Sequence, residues 1–286
     1  MHNVVHTGLP LLIMLAMTVV GLELTVADLR RVLHYPMQVV AAVFGQVLLL
    51  PLIAAALILT MNPEPAIAGG LILAAAAPQA ISSNYFCLLA RADIALSVTL
   101  TAVSSTLAVA TTPLVAALGF SFLLDQNAGF ALPVGKVAQQ VLTGLLLPVG
   151  AGMLVRHTAP AFVTRNRARF QWLNVVAVVL MLLILIADQA GNIWRTLGPT
   201  ALVAVLFLTG AAALGFSVAK AFSWNRQDTV TMVAAFPSRS LSIAILVAVN
   251  VLEQLEFLSF AVVFFLVQSL LLVPVMMLSR PASAKV

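Results

Sequence analysis

The sequence predicts an all-α polytopic membrane protein, folded as a single membrane domain over 1–286, and three observations carry that reading. The chain is 62% hydrophobic and 8% charged, with a mean hydropathy of +1.12, far from the composition of soluble domains. Apolar runs near the length a helix needs to cross hydrocarbon recur nine times, at 8–24, 37–60, 66–90, 94–120, 133–155, 171–187, 199–221, 229–251 and 256–279. The basic residues are also asymmetric. Arg30, Arg31, Arg91, Arg156, Arg165, Arg167, Arg169, Lys220, Arg226, Arg280 and Lys285 fall in alternate loops or the C-terminal tail, and only Lys136 and Arg195 lie in the others. The positive-inside rule then expects the N-terminus outside and the C-terminus in the cytoplasm, which agrees with an odd number of transmembrane helices.

The elements follow in chain order. The run at 8–24 is short, and its Glu23 is expected at the interface. It lacks a signal-peptide pattern and reads as a retained helix. The run at 37–60 carries Gln46 shortly before Pro51; this glutamine would cap freed backbone groups or help hold an ion. The run at 66–90 is broken by Pro78, with Gln79, Ser82, Ser83 and Asn84 close behind. The next, 94–120, opens with Ser97 and Thr101, four apart and so on one helix face. The run at 133–155 opens the second half, followed by an inner linker at about 156–170 with a basic cluster able to meet anionic lipid headgroups. Turn-rich outer linkers are expected at Asn62–Pro65, Asp125–Gly129 and Asp188–Asn192. The run at 229–251 is broken by Phe236-Pro237-Ser238-Arg239-Ser240, and the last, 256–279, carries Gln268.

The two broken runs matter most. Proline removes a backbone donor, and in lipid the freed groups must face protein or a water-filled cavity. Two interrupted segments, one per half, point to the site of a secondary transporter. Ala76-Ala77-Pro78 resembles Ala235-Phe236-Pro237 on a helix of opposite direction. That suggests inverted repeats at about 8–124 and 133–279, with two discontinuous helices crossing.

Polar side chains at these breaks form the candidate site. Ser83, Asn84, Ser97, Thr101 and Gln46 could gather oxygens around a small cation. Ser104, Ser105 and Thr106 read instead as hydroxyls bonded back to their own helix or gluing helices together. Arg239 is costly at membrane depth. It could pair with carbonyls freed at the breaks, or bind a substrate anion through its planar fork. Ser238, Ser240, Gln79, Asn84 and Gln268 would line the same substrate site, Gln268 having helix packing as its other role. The function expected is secondary transport of a small organic anion. Rival readings are an arsenite or oxyanion exporter using Cys87, the only cysteine, and a non-transporting membrane sensor. No metal-binding histidine pair, acid dyad or nucleotide loop suggests an enzyme. Nucleic acid is not an expected partner, since the charge of +5 is a topology signal.

Ala77-Pro78-Gln79-Ala80-Ile81-Ser82-Ser83-Asn84, continued by Leu89 to Thr101, resembles the bile acid:sodium symporter family, as do Gly21-Leu22-Glu23-Leu24 with Asp28 and Leu29, and Gln46 ahead of Pro51. The resemblance covers essentially the whole chain. It implies a core and a panel subdomain in a nine-helix version lacking the family's first helix; the location expected is a bacterial inner membrane. It also implies one sodium site at Ser83, Asn84, Ser97 and Thr101 and a second using Gln46, with no other cofactor. The chain departs from the family's Glu-x-Gly-x-Gln-Asn motif. Val233 stands at the glutamate position, Pro237 at the glutamine and Ser238 at the asparagine, and Gln79 and Ala80 replace two glycines. A cation held only by neutral ligands about 6 Å from Arg239 would feel roughly 3 kcal/mol of repulsion. Sodium coupling is therefore expected to be weakened or replaced by the arginine.

Overall fold

The computed structural model describes residues 8–23, 35–124, 135, 136, 139, 142–250, 252 and 254–280. The described residues are almost wholly helical and contain no strand, apart from one isolated bridge treated below. Asp28, Arg30, Arg31, the linker at 125–129 and Lys285 lie outside them.

Proline and turn residues set most of the helix ends. Helix α1 is Leu9–Glu23. Helix α2, Pro36–Phe44, runs into α3, Leu50–Met61, through a π-turn at Gly45–Leu49, where the Leu50 amide reaches back to Gly45 O. Pro51 lies in the first turn of α3. It brings no amide of its own, and the wider turn just before it absorbs the mismatch. Asn62, in the left-handed region at φ 44°, ends α3.

Helix α4, Pro65–Ala76, and α5, Ser82–Ala90, are the two halves of the first broken run. Asp93 then caps α6, Ile94–Leu123, its Oδ1 accepting from the Leu96 amide at 2.9 Å. This helix bends by 66° between Ile94–Ala108 and Ala110–Leu123. Pro113 is the cause, since its ring crowds the carbonyl four residues back and leaves it without a donor.

The second half begins in the described residues with a π-turn at Leu142–Leu146, then α7, Leu147–Thr158, and short α8, Pro160–Arg165. The expected linker at 156–170 is therefore largely helical. A second correction concerns Asp188–Asn192. Helical hydrogen bonding runs unbroken through it in α9, Arg167–Ala221, 55 residues long. Gly191 costs only about 1 kcal/mol within a helix, and Pro199 is the first proline in the element. A straight helix of that length would measure about 82 Å, roughly twice the thickness of a bilayer. Both apolar stretches, Arg167–Asp188 and Ile193–Ala221, fit one membrane only with a bend between them.

Asn225 caps α10, Arg226–Ala235, through the Asp228 amide at 2.9 Å. Helix α11, Leu241–Asn250, completes the second broken run, and α12, Phe257–Leu278, follows. Among the described residues, four helices are long and apolar enough to cross a membrane: Pro36–Met61, Arg167–Asp188, Ile193–Ala221 and Phe257–Leu278. The bent α6 makes a fifth if its two parts count as one span. Large apolar side chains such as Trp172, Leu180, Trp194 and Leu270 face outward from these helices, as lipid rather than water requires. The protein is an integral membrane protein.

Small residues let the backbones close up. A Cβ at Gly21 would strike Val149 O, and one at Gly152 would strike Thr18 O, so α1 and α7 meet backbone to backbone. Around the broken helices the core is apolar, with Phe120, Phe207, Phe236, Phe260 and Phe264 fully buried. Loop contacts gather at one end: Gln171 donates to Glu23 (3.0 Å), Tyr35 to Asp93 (3.1 Å), Arg226 to Ser279 O (2.6 Å) and Arg280 to Leu89 O (2.6 Å).

Candidate functional site

The end of α4 poses a specific problem. Pro78 has no amide to offer Ala74 O, and the carbonyls of the last helical turn have no partner within the helix. The structure satisfies each one. Leu73 O accepts from the Ala77 amide at 2.9 Å. Ala76 O accepts from Thr112 Oγ1 at 3.0 Å. The remaining three are met by Arg239: Nε donates to Ala74 O at 3.4 Å, and Nη2 donates to Ala75 O at 3.3 Å and to Ala77 O. Nη1 reaches Gln46 Oε1 at 3.3 Å. Four of the five N–H groups of the guanidinium are thus engaged. Arg239 is 4% exposed, and it sits where the negative end of the α4 dipole favours a cation.

The two breaks are joined as well by their backbones. Gln79 and Arg239 form an antiparallel bridge. The Ala80 amide donates to Ser238 O and the Ser240 amide to Pro78 O, both at 2.9 Å. The extended residues after each proline are tied to one another by these two bonds. Ser238 bonds within its own segment, Oγ to Ala234 O at 2.7 Å.

A second polar centre lies beside the first. Gln79 Nε2 donates toward Ser83 Oγ (2.8 Å), Thr101 Oγ1 (3.2 Å) and Ser97 O (3.4 Å). The Ser83 and Ser97 hydroxyls are 3.0 Å apart, and Ser97 Oγ donates to Asn84 Oδ1 at 2.7 Å. Ser83, Asn84, Ser97 and Thr101 therefore converge, with Gln79 among them. Gln46 links the two centres, since its Nε2 donates to Gln79 Oε1 at 3.1 Å.

A cavity of about 330 Å³ opens against the paired breaks. Gln79, Arg239, Ser240, Gln268 and Thr101 are on its wall; Ser238, Asn84, Ser83, Ser97 and Gln46 are not. Gln268 is 1% exposed, and its Oε1 has no hydrogen-bond partner among the described residues. Much of the remaining wall is apolar, with Met17, Val178, Leu182 and Phe265 contributing. The volume falls in the range of small-molecule sites.

Sequence reasoning missed several participants. Asn174, Tyr85 and Ser242 are on the cavity wall, together with Ser82, one of the polar residues behind Pro78. Asn174 carried a signal, being with Gln171 one of two amides early in the apolar run 171–187. Ser104 fits both of its expected structural roles. Its Oγ does contact Thr101 O at 3.2 Å, and it also accepts from the Gln79 amide at 3.3 Å, capping the break. Thr106 behaves as expected, donating to Ala102 O. Ser105 is buried and on the cavity wall. Val233 packs beside Phe86 and Cys87 in a satellite apolar cluster. Cys87 is fully buried there and is not on the cavity wall.

Comparison with known proteins bears on this arrangement. The sequence model of the Sodium Bile acid symporter family matches residues 10–196, a stretch holding the first break and ending before the second. A probable chloroplastic sodium/metabolite cotransporter, BASS2, of Oryza sativa subsp. japonica is 28% identical over 230 residues, 80% of this chain and 53% of its own length. An uncharacterized sodium-dependent transporter, YocS, of Bacillus subtilis (strain 168) is 26% identical over 176 residues, 62% of this chain and 53% of its own. The probable chloroplastic sodium/metabolite cotransporter BASS1 of Arabidopsis thaliana is 34% identical over 138 residues, 48% of this chain and 33% of its own. The chain spans about half the length of the first two of these relatives. With the matched stretch covering well over half of its residues, the chain belongs to the sodium bile acid symporter family.

Proposed function

We propose that this protein is a secondary transporter that moves a small organic anion by alternating access, with Arg239 in place of a coupling cation. The observation that carries the reading is the cavity of about 330 Å³ at the paired breaks, with a buried guanidinium on its wall. The wall includes Ile81 and Ser82 at the start of α5, and Leu241 and Ser242 at the start of α11. Helix N-termini carry positive potential and suit an anionic group. Arg239 adds its field, while most of its donors stay on α4 carbonyls. The anionic group of the substrate lies near Gln79, Ser240 and Gln268, and an apolar body lies along Met17, Leu182 and Phe265.

In broken-helix transporters, carbonyls at half-helix C-termini hold the coupling cation. Here those carbonyls accept from Arg239, which supports transport that depends only weakly on sodium. The relatives named above as sodium-dependent would differ in this respect. The wider architecture we propose has nine spans, counting each broken pair as one, in two inverted repeats at about 8–124 and 133–279. A panel rocks against the core holding the breaks. The basic end gathering Arg91, Arg226 and Arg280 is cytoplasmic, in a bacterial inner membrane, with anionic lipid headgroups as neighbours. No catalytic residue is assigned, in keeping with a family of symporters.

Proteoliposome uptake of a panel of organic anions, with sodium replaced by choline at constant ionic strength, tests this. Uptake of at least one anion should persist without sodium and fall at least tenfold in Gln46→Glu, whose carboxylate would cancel the guanidinium charge. Uptake abolished by sodium removal, together with a Gln46→Glu variant matching wild type, would refute the charge-replacement reading.

A further inference from the structure

We propose that the side-chain amide of Gln79 is the permanent occupant of an alkali-cation cage, and that sodium can bind there only when this amide is removed. The geometry is that of coordination rather than pairwise bonding. Three oxygens, Ser83 Oγ, Thr101 Oγ1 and Ser97 O, lie 2.8, 3.2 and 3.4 Å from one nitrogen. A primary amide has two hydrogens to give, so acceptors outnumber donors around that point. The Ser97 hydroxyl stands 3.0 Å from Ser83 Oγ and extends the shell to Asn84 Oδ1 at 2.7 Å. Ser83, Ser97 and Thr101 are each 1% exposed or less. Buried neutral hydroxyls and a helix carbonyl are the chemistry that replaces the hydration shell of a monovalent cation.

The orientation of the amide is fixed from outside the cage. A guanidinium can only donate, so Gln46 turns its oxygen to Arg239 Nη1. That leaves Gln46 Nε2 facing Gln79 Oε1, and so Gln79 Nε2 faces the cage. Ser97 directs its one hydrogen to Asn84, and the one hydrogen of Ser83 is claimed by Ala80 O at 2.9 Å as well as by Ser97 Oγ at 3.0 Å. The result is a one-directional chain from Arg239 through Gln46 and Gln79 to Ser83. Such chains strengthen cooperatively. Arg239 thus acts twice: its guanidinium holds the α4 carbonyls, and through Gln46 it aims the amide that fills the neighbouring cage. A tethered occupant cannot be released with a substrate, so this cage does not couple transport to an ion. The inference rests on the transport reading for that consequence alone.

The test is thermal unfolding of the purified full chain in detergent, in sodium chloride and in choline chloride at equal ionic strength. The wild type should show no saturable sodium-dependent shift. Gln79→Ala should gain one, a rise on the order of 3–5 °C at sodium ten times its Kd. The gain should vanish in the double variant Gln79→Ala/Thr101→Ala. A folded Gln79→Ala indifferent to sodium would overturn the proposal, as would a gain that survives the second substitution. If Gln79→Ala does not fold, equilibrium binding of radioactive sodium to the wild type decides instead. Saturable binding abolished by Thr101→Ala would also overturn it, and no saturable binding is the expected result. The readout uses neither anion nor transport. A protein that moves no anion can therefore still pass, and one that moves an anion can still fail.

Discussion

The breaks at Pro78 and Pro237 share one backbone defect and resolve it in different ways. The Pro237 break is met from within at one carbonyl: the Phe236 amide completes the last helical turn on Met232 O, and Ser238 Oγ donates to Ala234 O. The Pro78 break depends on its neighbours. Its carbonyls are met by Thr112 of α6 and by Arg239, and the Gln79 amide by Ser104 of α6. The backbone bridge is reciprocal, each break donating once to the other, but the side-chain support runs one way, from Arg239 to the α4 carbonyls. The two half-helix pairs are therefore expected to hold together most tightly while Arg239 is present.

The largest effect should come from removing the shared residue. Arg239→Ala orphans three buried carbonyls of α4 and takes away the positive field at the cavity. Losing one partner of a buried charged arrangement costs about 3–5 kcal/mol, a fall in Tm on the order of 10 °C for a chain of this size. Arg239→Lys should recover less than half of this, since one ammonium cannot span Ala74 O, Ala75 O and Ala77 O. Thermal unfolding in detergent measures both. A wild-type Tm for Arg239→Ala would break the comparison outright, because the recipient break would then need no donor.

A middle-sized effect should separate the field of Arg239 from its capping. Gln46→Leu leaves Gln79 Oε1 without its donor and should lower stability by about 1–3 kcal/mol. Gln46→Glu removes the same donor, which Gln79 answers by turning its amide nitrogen to the new carboxylate, but it leaves the α4 contacts in place and adds a charge beside Nη1. At about 8 Å from a bound anion, with an effective dielectric near 20, that charge costs roughly 2 kcal/mol, or some thirtyfold in affinity. Anion titration by thermal shift should find Gln46→Glu folded but weak in binding. If both variants lose stability and affinity in step, capping and field cannot be told apart and the roles assigned to Arg239 collapse into one.

The difference between the breaks also explains what could be read from the sequence. Pro78, Pro237, Arg239 and the Ser83–Asn84 pair stand out because they are chemically odd in apolar runs, and each proved to be at the paired breaks or the oxygen cluster. The recipients were invisible. Ala74, Ala75 and Ala77 act through carbonyls that every residue carries, so no side chain marks them. Thr112 and Ser104 read as ordinary membrane-helix hydroxyls, because only the tertiary approach of α6 brings them to the break. The choice between a structural and a substrate-facing guanidinium turned on the same hidden carbonyls. The expected linker at Asp188–Asn192 looked like a turn by composition alone, and helical bonding through α9 outweighed that weak preference. The family match ends at residue 196, so the half of the site that departs most from the family is the half that resemblance describes least.

The smallest predicted effect is the finest test of the asymmetry. Thr112→Val and Ser238→Ala each remove one hydroxyl from one carbonyl, Ala76 O at the first break and Ala234 O at the second. Both hydroxyls belong to fully or nearly fully buried residues, so each loss should cost on the order of 1 kcal/mol. The Thr112 bond crosses between elements, whereas the Ser238 bond lies within a single turn. Loss of the first should therefore loosen α6 against α4, and loss of the second should leave tertiary packing intact. Hydrogen exchange at the amides of α4 and α5 should rise in Thr112→Val and stay near wild type in Ser238→Ala, at matched falls in Tm. Equal exchange in the two variants would mean that the first break is as self-contained as the second, and that its dependence on neighbours rests on Arg239 alone.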